Sequence, residues 1–379
     1  MRDFRSYERL ELTLEPGLVL AVGPNGVGKT NLLESLHVAT QGFSPRTRTD
    51  AQLIRFGSTA SRIAVRGTRG PSPIEIEVVL QSAAAKQAKV NGAALRTAEQ
   101  LRGETATLVF TPDRLGVIKG APAARRAYFD RALGRLTPAR ASLPAEYGAA
   151  IAQRNAALRL RSTALSTWTQ QVAELGSQLV AARKETLSLL SPPFAERAGE
   201  LGLSEAELRY AGEPPTVEAL EARLDRDLER GHTGLGPHLD DIVISSGPRD
   251  LRSYGSQGEQ RLDRDLERGV TGAGPHLDDI VLASGTRELR SFGSQGEQRL
   301  AMLALLLAEA ELIVDRGGVP PLLLLDDVLS ELDPDRRRIL AARVARVGQA
   351  LITATDGAML PAEPDQLLEV SAGVVRTAA

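Results

Sequence analysis

The sequence of 379 residues contains no cysteine, which excludes disulfides and thiolate metal sites. Four histidines are too few for a His-rich metal centre. No apolar run reaches the roughly 18 residues that a membrane span needs, and the most apolar stretch, Leu300–Val314, carries two glutamates. The first residues, "MRDFRSYERLEL", lack the apolar centre of a signal peptide. A cytoplasmic protein with no membrane association is expected. A net charge of −2 gives no hint of a nucleic-acid partner, but it hides an asymmetry. Residues 1–200 hold 27 Lys and Arg against 17 Asp and Glu, and the remainder holds 19 against 31. A basic face on a near-neutral protein is therefore available.

Periodicity predicts an α/β protein. Tyr7–Leu14 alternates as a half-buried strand does, Gly17–Val22 is a short apolar run, and Arg62–Val65, Ile74–Leu80 and Thr107–Phe110 read as further strands. Asn91-Gly92 between short runs signals a hairpin. From about residue 121 to residue 230 the chain becomes Ala/Leu/Arg-rich with helical spacing, broken at "SPP" (Ser191–Pro193) and "EPP" (Glu213–Pro215). An apolar helix from Leu300, a buried strand at Pro321–Leu325, a helix from Asp335 and a strand "ALITAT" complete the pattern. Strands and helices alternate at both ends, with helices between them, so an α/β head interrupted by a helical lobe is expected. The expected bounds are 1–120 for the first part of the head, 121–230 for the helical lobe and 262–379 for the rest of the head.

Two motifs carry chemistry. "GPNGVGKTN" (Gly23, Pro24, Asn25, Gly26, Val27, Gly28, Lys29, Thr30, Asn31) satisfies G-x-x-x-x-G-K-[ST] between a strand and a helix. Its glycines let successive N–H groups converge on phosphate oxygens, with the helix N-terminus behind them. Lys29 would neutralise the β- and γ-phosphates, and Thr30 would ligate Mg²⁺. Far along the chain, "LLLLDD" ends an apolar strand in two carboxylates. Asp326 is placed to hold Mg²⁺, and Asp327 to act as base toward an attacking water. A nucleotide-hydrolysing P-loop site with Mg²⁺ follows from the pair.

The order P-loop, "SQGEQR", "LLLLDDVLSELD" resembles the ABC-type ATPase heads. Further stretches resemble the RecF family of bacterial recombination mediators: "FRSY", "RTRTDAQLIRFG", "FTPDRLGVIKGAPAARRAYFD", "QRNAAL" and "GPHLDD". The resemblance runs nearly end to end. It implies a P-loop ABC-type head (lobe I) with an inserted, mainly helical lobe II, working as an ATP-dependent homodimer with slow, DNA-stimulated hydrolysis. It implies DNA partners at single-strand gaps and duplex junctions, and cooperation with RecR and RecO in loading RecA. By the same resemblance Ser294, Gly296 and Glu297 belong to the signature that faces the partner's γ-phosphate, and Asp333 to the loop crossing the dimer. Arg46 and Arg48 fall where related heads carry an arginine that senses ATP or DNA. Arg-rich segments Arg62–Arg69 and Arg125–Arg135 are the expected DNA contacts. This sequence departs from the family's pattern in four ways. Asp327 stands where most ABC-type heads have Glu, although RecF-like sequences often have Asp there; Thr355 stands where transporters have the switch His, and Leu277 where the family usually has Arg. The strand before "FRSY" is also shorter than usual.

Leu224–Arg261 and Leu262–Arg299 align without a gap over 38 positions, 31 of them identical. Repeat architectures need about three or more units, so one pair reads as a tandem duplication. "LAMLALLLAEAELIV" after Arg299 suits a buried helix. "LDRDLERG" after Arg261, in which only Leu266 is apolar between Asp263 and Arg268, does not. The second signature is therefore expected to work, with 224–261 as the insertion. An SMC-like clamp would need a far longer helical insertion, and a transporter subunit would lack this one. A nucleotide-binding protein whose duplication impairs dimerisation stays open.

Overall fold

A computed structural model describes residues 1–47, 49–118, 120–246 and 295–378. They form two compact units, Met1–Arg114 with Leu306–Ala379, and Leu115–Leu305. The first unit is built on a six-stranded sheet ordered Val374–Thr377, Gln366–Ser371, Leu18–Val22, Ala350–Ala354, Leu322–Leu325, Thr107–Phe110. All neighbours are parallel except the edge pair Gln366–Ser371 and Val374–Thr377. The central strands are covered on both faces, which is why they read as unbroken apolar runs such as "LVLAV" and "LLLL". Strand Ala350–Ala354 enters between the strands that carry the two motifs, and this order positions the site.

A second, antiparallel sheet of the same unit runs Tyr7–Arg9, Arg2–Phe4, Ala60–Arg69, Ser72–Gln81, Gln87–Val90, Ala93–Ala94. The expected strand Tyr7–Leu14 shortens to Tyr7–Arg9, because its partner Arg2–Phe4 offers only three residues. The strands expected at Arg62–Val65 and Ile74–Leu80 extend into one long hairpin. Asn91 (φ 49°) and Gly92 (φ 81°) make the expected turn. Helix Lys29–Gln41 supplies Leu32 and Leu33 to one core cluster and Val38 and Ala39 to another. Being buried nearly all round, it must satisfy its polar residues internally. Thr40 Oγ1 donates to the Leu36 carbonyl (2.8 Å), and Gln41 Nε2 donates to the Thr105 carbonyl (3.0 Å).

The second unit carries helices Pro122–Leu136, Leu143–Leu160 and Leu165–Glu200. The break expected at Ser191–Pro193 does not occur, since Pro192 and Pro193 lie inside the 36-residue helix. A helix-interior proline costs about 3 kcal/mol. Buried Leu187, Leu190 and Phe194 contribute about 1.5–3 kcal/mol each, enough to carry the helix through. Ala206–Ala211, inside the stretch expected to be helical, is a strand paired antiparallel with Asp241–Ser246. The first copy of the duplication thus supplies both helix Leu224–Arg230 and that partner strand. The first signature loop, 253–261, lies outside the described residues.

Candidate functional site

Beyond strand Leu18–Val22 the backbone turns through Gly23, Gly26 and Gly28, all at positive φ. Gly28 (φ 117°) has no alternative, because a Cβ there would meet Tyr7 Oη at 3.0 Å and Ser6 Oγ at 3.1 Å. The Tyr7 hydroxyl donates to the Gly28 carbonyl at 3.1 Å and fixes the loop from below. Pro24, Asn25 and Gly26 form its exposed crest, with Val27 half-buried. Lys29 opens the helix and folds back, its Nζ donating to the carbonyls of Gly23 (2.6 Å) and Pro24 (2.9 Å). Burial lowers its pKa, while Asp327 and Asp326 pull the other way.

Asp326 emerges from strand Leu322–Leu325, held by its N–H on the Phe110 carbonyl at 2.9 Å. Its Oδ1 accepts from Thr30 Oγ1 at 3.1 Å and from Thr353 Oγ1 at 2.7 Å. Burial raises the Asp326 pKa, and the hydrogen bonds from Thr353 and Thr30 oppose that shift. Asp327 sits in the left-handed region at φ 47° and donates its N–H to Thr353 Oγ1 at 2.9 Å. Its Oδ1 is buried with no hydrogen-bond partner. An orphaned carboxylate oxygen is the acceptor that an ordered water needs. One carboxylate beside one hydroxyl, with no cluster of three acidic or histidine ligands among the described residues, fits Mg²⁺. That ion is typically held by one or two carboxylates together with phosphates and water.

Thr353 is the residue that sequence reading missed. It is fully buried in the intervening strand and ties the Asp326 carboxylate to the Asp327 backbone N–H. Its only signal was a hydroxyl in the otherwise apolar "ALITA". Glu34 was also missed. Its fully buried carboxylate accepts from both Arg5 nitrogens (2.9 Å each) and Ser44 Oγ (2.5 Å), with Arg46 at 3.5 Å. Arg46 also donates to Asn31 Oδ1 at 3.2 Å, next to Thr30. Arg5, Ser6, Asn31, Arg46, Arg55 and the fully exposed Phe56 line a cavity of about 690 Å³.

Lys29, Thr30, Asp326 and Asp327 are brought together. Gly296 and Glu297 occupy the first turn of helix Gln295–Asp315, and Ser294 and Arg48 lie outside the described residues. Asp333 caps helix Pro334–Val347, accepting from the Arg336 N–H (2.9 Å) and guanidinium (2.8 Å). Thr355 is exposed and donates to Met359 Sδ at 3.6 Å. Arg62, Arg66 and Arg69 are exposed, each paired with a glutamate. Arg125, expected at a DNA surface, is instead fully buried. It is clamped bidentately on Asp241 (2.6 and 2.5 Å), a partner 116 residues away that local sequence could not reveal.

Residues 1–376 match the family model of the RecF/RecN/SMC N terminal domain. The chain is 35% identical over 374 residues to the DNA replication and repair protein RecF of Symbiobacterium thermophilum, covering 93% of this chain and 89% of that protein. It is 37% identical over 401 residues to RecF of Anaeromyxobacter dehalogenans strain 2CP-C, covering 99% and 97%. Among solved structures it is similar to the ATP form of the recombination mediator protein RecF of the RecFOR pathway. That likeness has a TM-score of 0.81 at 24% identity and covers 100% and 96% of the two chains. The Smc head of Pyrococcus yayanosii, with coiled coil and joint, matches at a TM-score of 0.56 and 14% identity, covering 100% and 95%.

Proposed function

The chain belongs to the RecF family of DNA replication and repair proteins, with the α/β fold of an ABC-type ATPase head, and on that premise we propose that it is an ATP-driven recombination mediator that dimerises on DNA. The observation that carries this reading is the 3.1 Å hydrogen bond between Thr30 and Asp326. It joins residues 296 positions apart into one Mg²⁺-type pair beside Lys29. Bound Mg²⁺, held by Thr30 and Asp326, would neutralise charge on the phosphate oxygens. Lys29 would exchange its two carbonyl acceptors for β- and γ-phosphate oxygens. Asp327, held by Thr353 and with one oxygen unpartnered, would orient the attacking water and take its proton.

In the dimer, Ser294, Gly296 and Glu297 of one chain would face the γ-phosphate held by the other, and Asp333 would border that interface. DNA would bind through phosphates, with Arg62, Arg66 and Arg69 on the long hairpin exchanging glutamate for phosphate. Affinity should then fall steeply with salt, and each contacting arginine removed should reduce the salt slope by about 1. Single-strand gaps and duplex junctions are the proposed DNA targets, and RecR, RecO and RecA the proposed protein partners. Sedimentation with ATP and Mg²⁺, with and without gapped DNA, tests the reading. A dimer that needs ATP and is stabilised by DNA supports it. A chain that binds ATP yet stays monomeric under every condition would mean that the duplication has disabled the dimer.

A further inference from the structure

We propose that Thr111 is a further positioning residue of the nucleotide site, its hydroxyl donating to the Asp326 carboxylate when that carboxylate binds Mg²⁺. The inference rests on the ATP and Mg²⁺ reading given above. It starts from a buried polar group with nothing to bond. Thr111 is 2% exposed, and its Oγ1 is the only buried hydroxyl without a hydrogen-bond partner among the described residues. A buried hydroxyl left unpaired costs stability, so its persistence in a native fold requires a physical cause. Thr107, on the same strand and the same face, shows the usual outcome. Its Oγ1 donates to Thr40 Oγ1 at 2.9 Å.

Strand register places this hydroxyl beside Asp326. Phe110, Leu325 and Ile352 are paired across adjacent strands, and the Asp326 N–H continues the ladder onto the Phe110 carbonyl. The next residue on each strand is Thr111, Asp326 or Thr353. Two positions before them stand Val109, Leu324 and Leu351, which share one core cluster with Leu32 and Leu33 of helix Lys29–Gln41. Alternation therefore puts Thr111, Asp326 and Thr353 on the face toward that helix, whose Thr30 also reaches Asp326. Asp326 is thus flanked by a threonine on each neighbouring strand. Thr353 donates to its Oδ1 at 2.7 Å, so a threonine at this offset reaches the carboxylate. Thr111 stands at the equivalent place on the other side, one staggered turn of its side chain from completing the row. An ionised carboxylate offers about four lone-pair sites. Thr30 and Thr353 both use Oδ1, which leaves room for a metal ion and for another donor. Because the Thr111 Oγ1 is shut off from solvent, a protein acceptor has to supply its bond. Carboxylates that hold a metal are in turn hydrogen-bonded by such outer groups, which fix their angle.

Thr111→Val in the full chain keeps the shape and removes the hydroxyl, and melting with and without ligand reads the result. Without nucleotide the variant should melt at, or up to about 4 °C above, the wild-type temperature, because an unpaired buried hydroxyl has gone. With Mg²⁺ and ATP its stabilisation should be smaller by about 3–5 °C, the equivalent of roughly tenfold weaker binding. ATP affinity measured by calorimetry in chelator should be unchanged, while the Mg²⁺ concentration at half-saturation rises about tenfold. Thr111→Ser restores the hydroxyl and should return the Mg²⁺ requirement to that of wild type. A Thr111→Val protein that melts lower without nucleotide and needs no more Mg²⁺ would show a merely structural hydroxyl, and overturns the proposal. A variant that melts higher but takes up Mg²⁺ and ATP as wild type does overturns it as well. If wild type itself gains nothing from Mg²⁺ in binding ATP, the metal site fails and Thr111 loses its role with it.

Discussion

Replacing Thr353 with valine keeps the shape of the side chain and removes one hydroxyl. That hydroxyl donates to Asp326 at 2.7 Å and accepts from the Asp327 N–H at 2.9 Å, in a fully buried position. A hydrogen bond to a charged group contributes about 1.5–3 kcal/mol, and an orphaned buried N–H costs about 1–3 kcal/mol. Partial relaxation toward water brings the expected loss to about 3 kcal/mol. For a unit of this size that corresponds to a fall of roughly 6–12 °C in melting temperature. Hydrolysis should fall further than nucleotide affinity, because Asp327 would lose the tether that aims its carboxylate, whereas the phosphate loop is untouched. The assay is calorimetric melting beside ATP binding and phosphate release. Thr353→Ser, which restores the hydroxyl, should recover most of the hydrolysis. If Thr353→Val matches wild type in both stability and turnover, Thr353 does not organise the site.

Two further outcomes follow from buried polar groups. Burial lowers the His238 pKa, and its Nε2 donates to the Thr233 carbonyl (3.1 Å) while Nδ1 accepts from Tyr147, so the folded state holds the neutral ring. A depressed folded pKa gives stability that is present above the unfolded value of about 6.5 and is lost as pH falls through the folded one. Denaturant midpoints should therefore fall as pH drops below about 6.5, and less steeply in the variant His238→Gln. Equal slopes in the two proteins would remove His238 from the account. Glu34→Gln should cost about 3 kcal/mol, because the bidentate Arg5 pair and the Arg46 contact share that one buried carboxylate. Urea unfolding reads this, and a change below about 0.5 kcal/mol would show that the cluster is not holding the loop.

The apolar runs and glycine punctuation made the parallel sheet and phosphate loop legible, because a strand buried on both faces leaves an unmistakable local pattern. Thr353 was not legible. Its role comes from strand order, which inserts Ala350–Ala354 between the strand before it in the chain, Leu322–Leu325, and Leu18–Val22 from the chain's other end. Arg125 was misread as a surface charge for the same reason, since its partner Asp241 becomes adjacent only in the fold. Ala206–Ala211 looked helical because "AELRYA" has helical propensity. Pairing with Asp241–Ser246 overrides it. Pro192 and Pro193 announced a break that the buried face of a 36-residue helix overrules.

The central claim is that Lys29, Thr30, Asp326 and Asp327 form one nucleotide-hydrolysing site, and two variants separate its halves. Lys29→Ala removes the cation now held by the Gly23 and Pro24 carbonyls, and Asp327→Asn removes the carboxylate whose oxygen is left unpartnered. The measurement is ATP binding by calorimetry beside phosphate release, each with Mg²⁺ and with chelator. Lys29→Ala should lose affinity by about tenfold or more, the equivalent of about 1.4 kcal/mol. Asp327→Asn should bind ATP as tightly as wild type with hydrolysis reduced by about a hundredfold or more, in the range of general-base removal. An Asp327→Asn protein that releases phosphate at the wild-type rate, or a Lys29→Ala protein that binds ATP unchanged, would contradict the site.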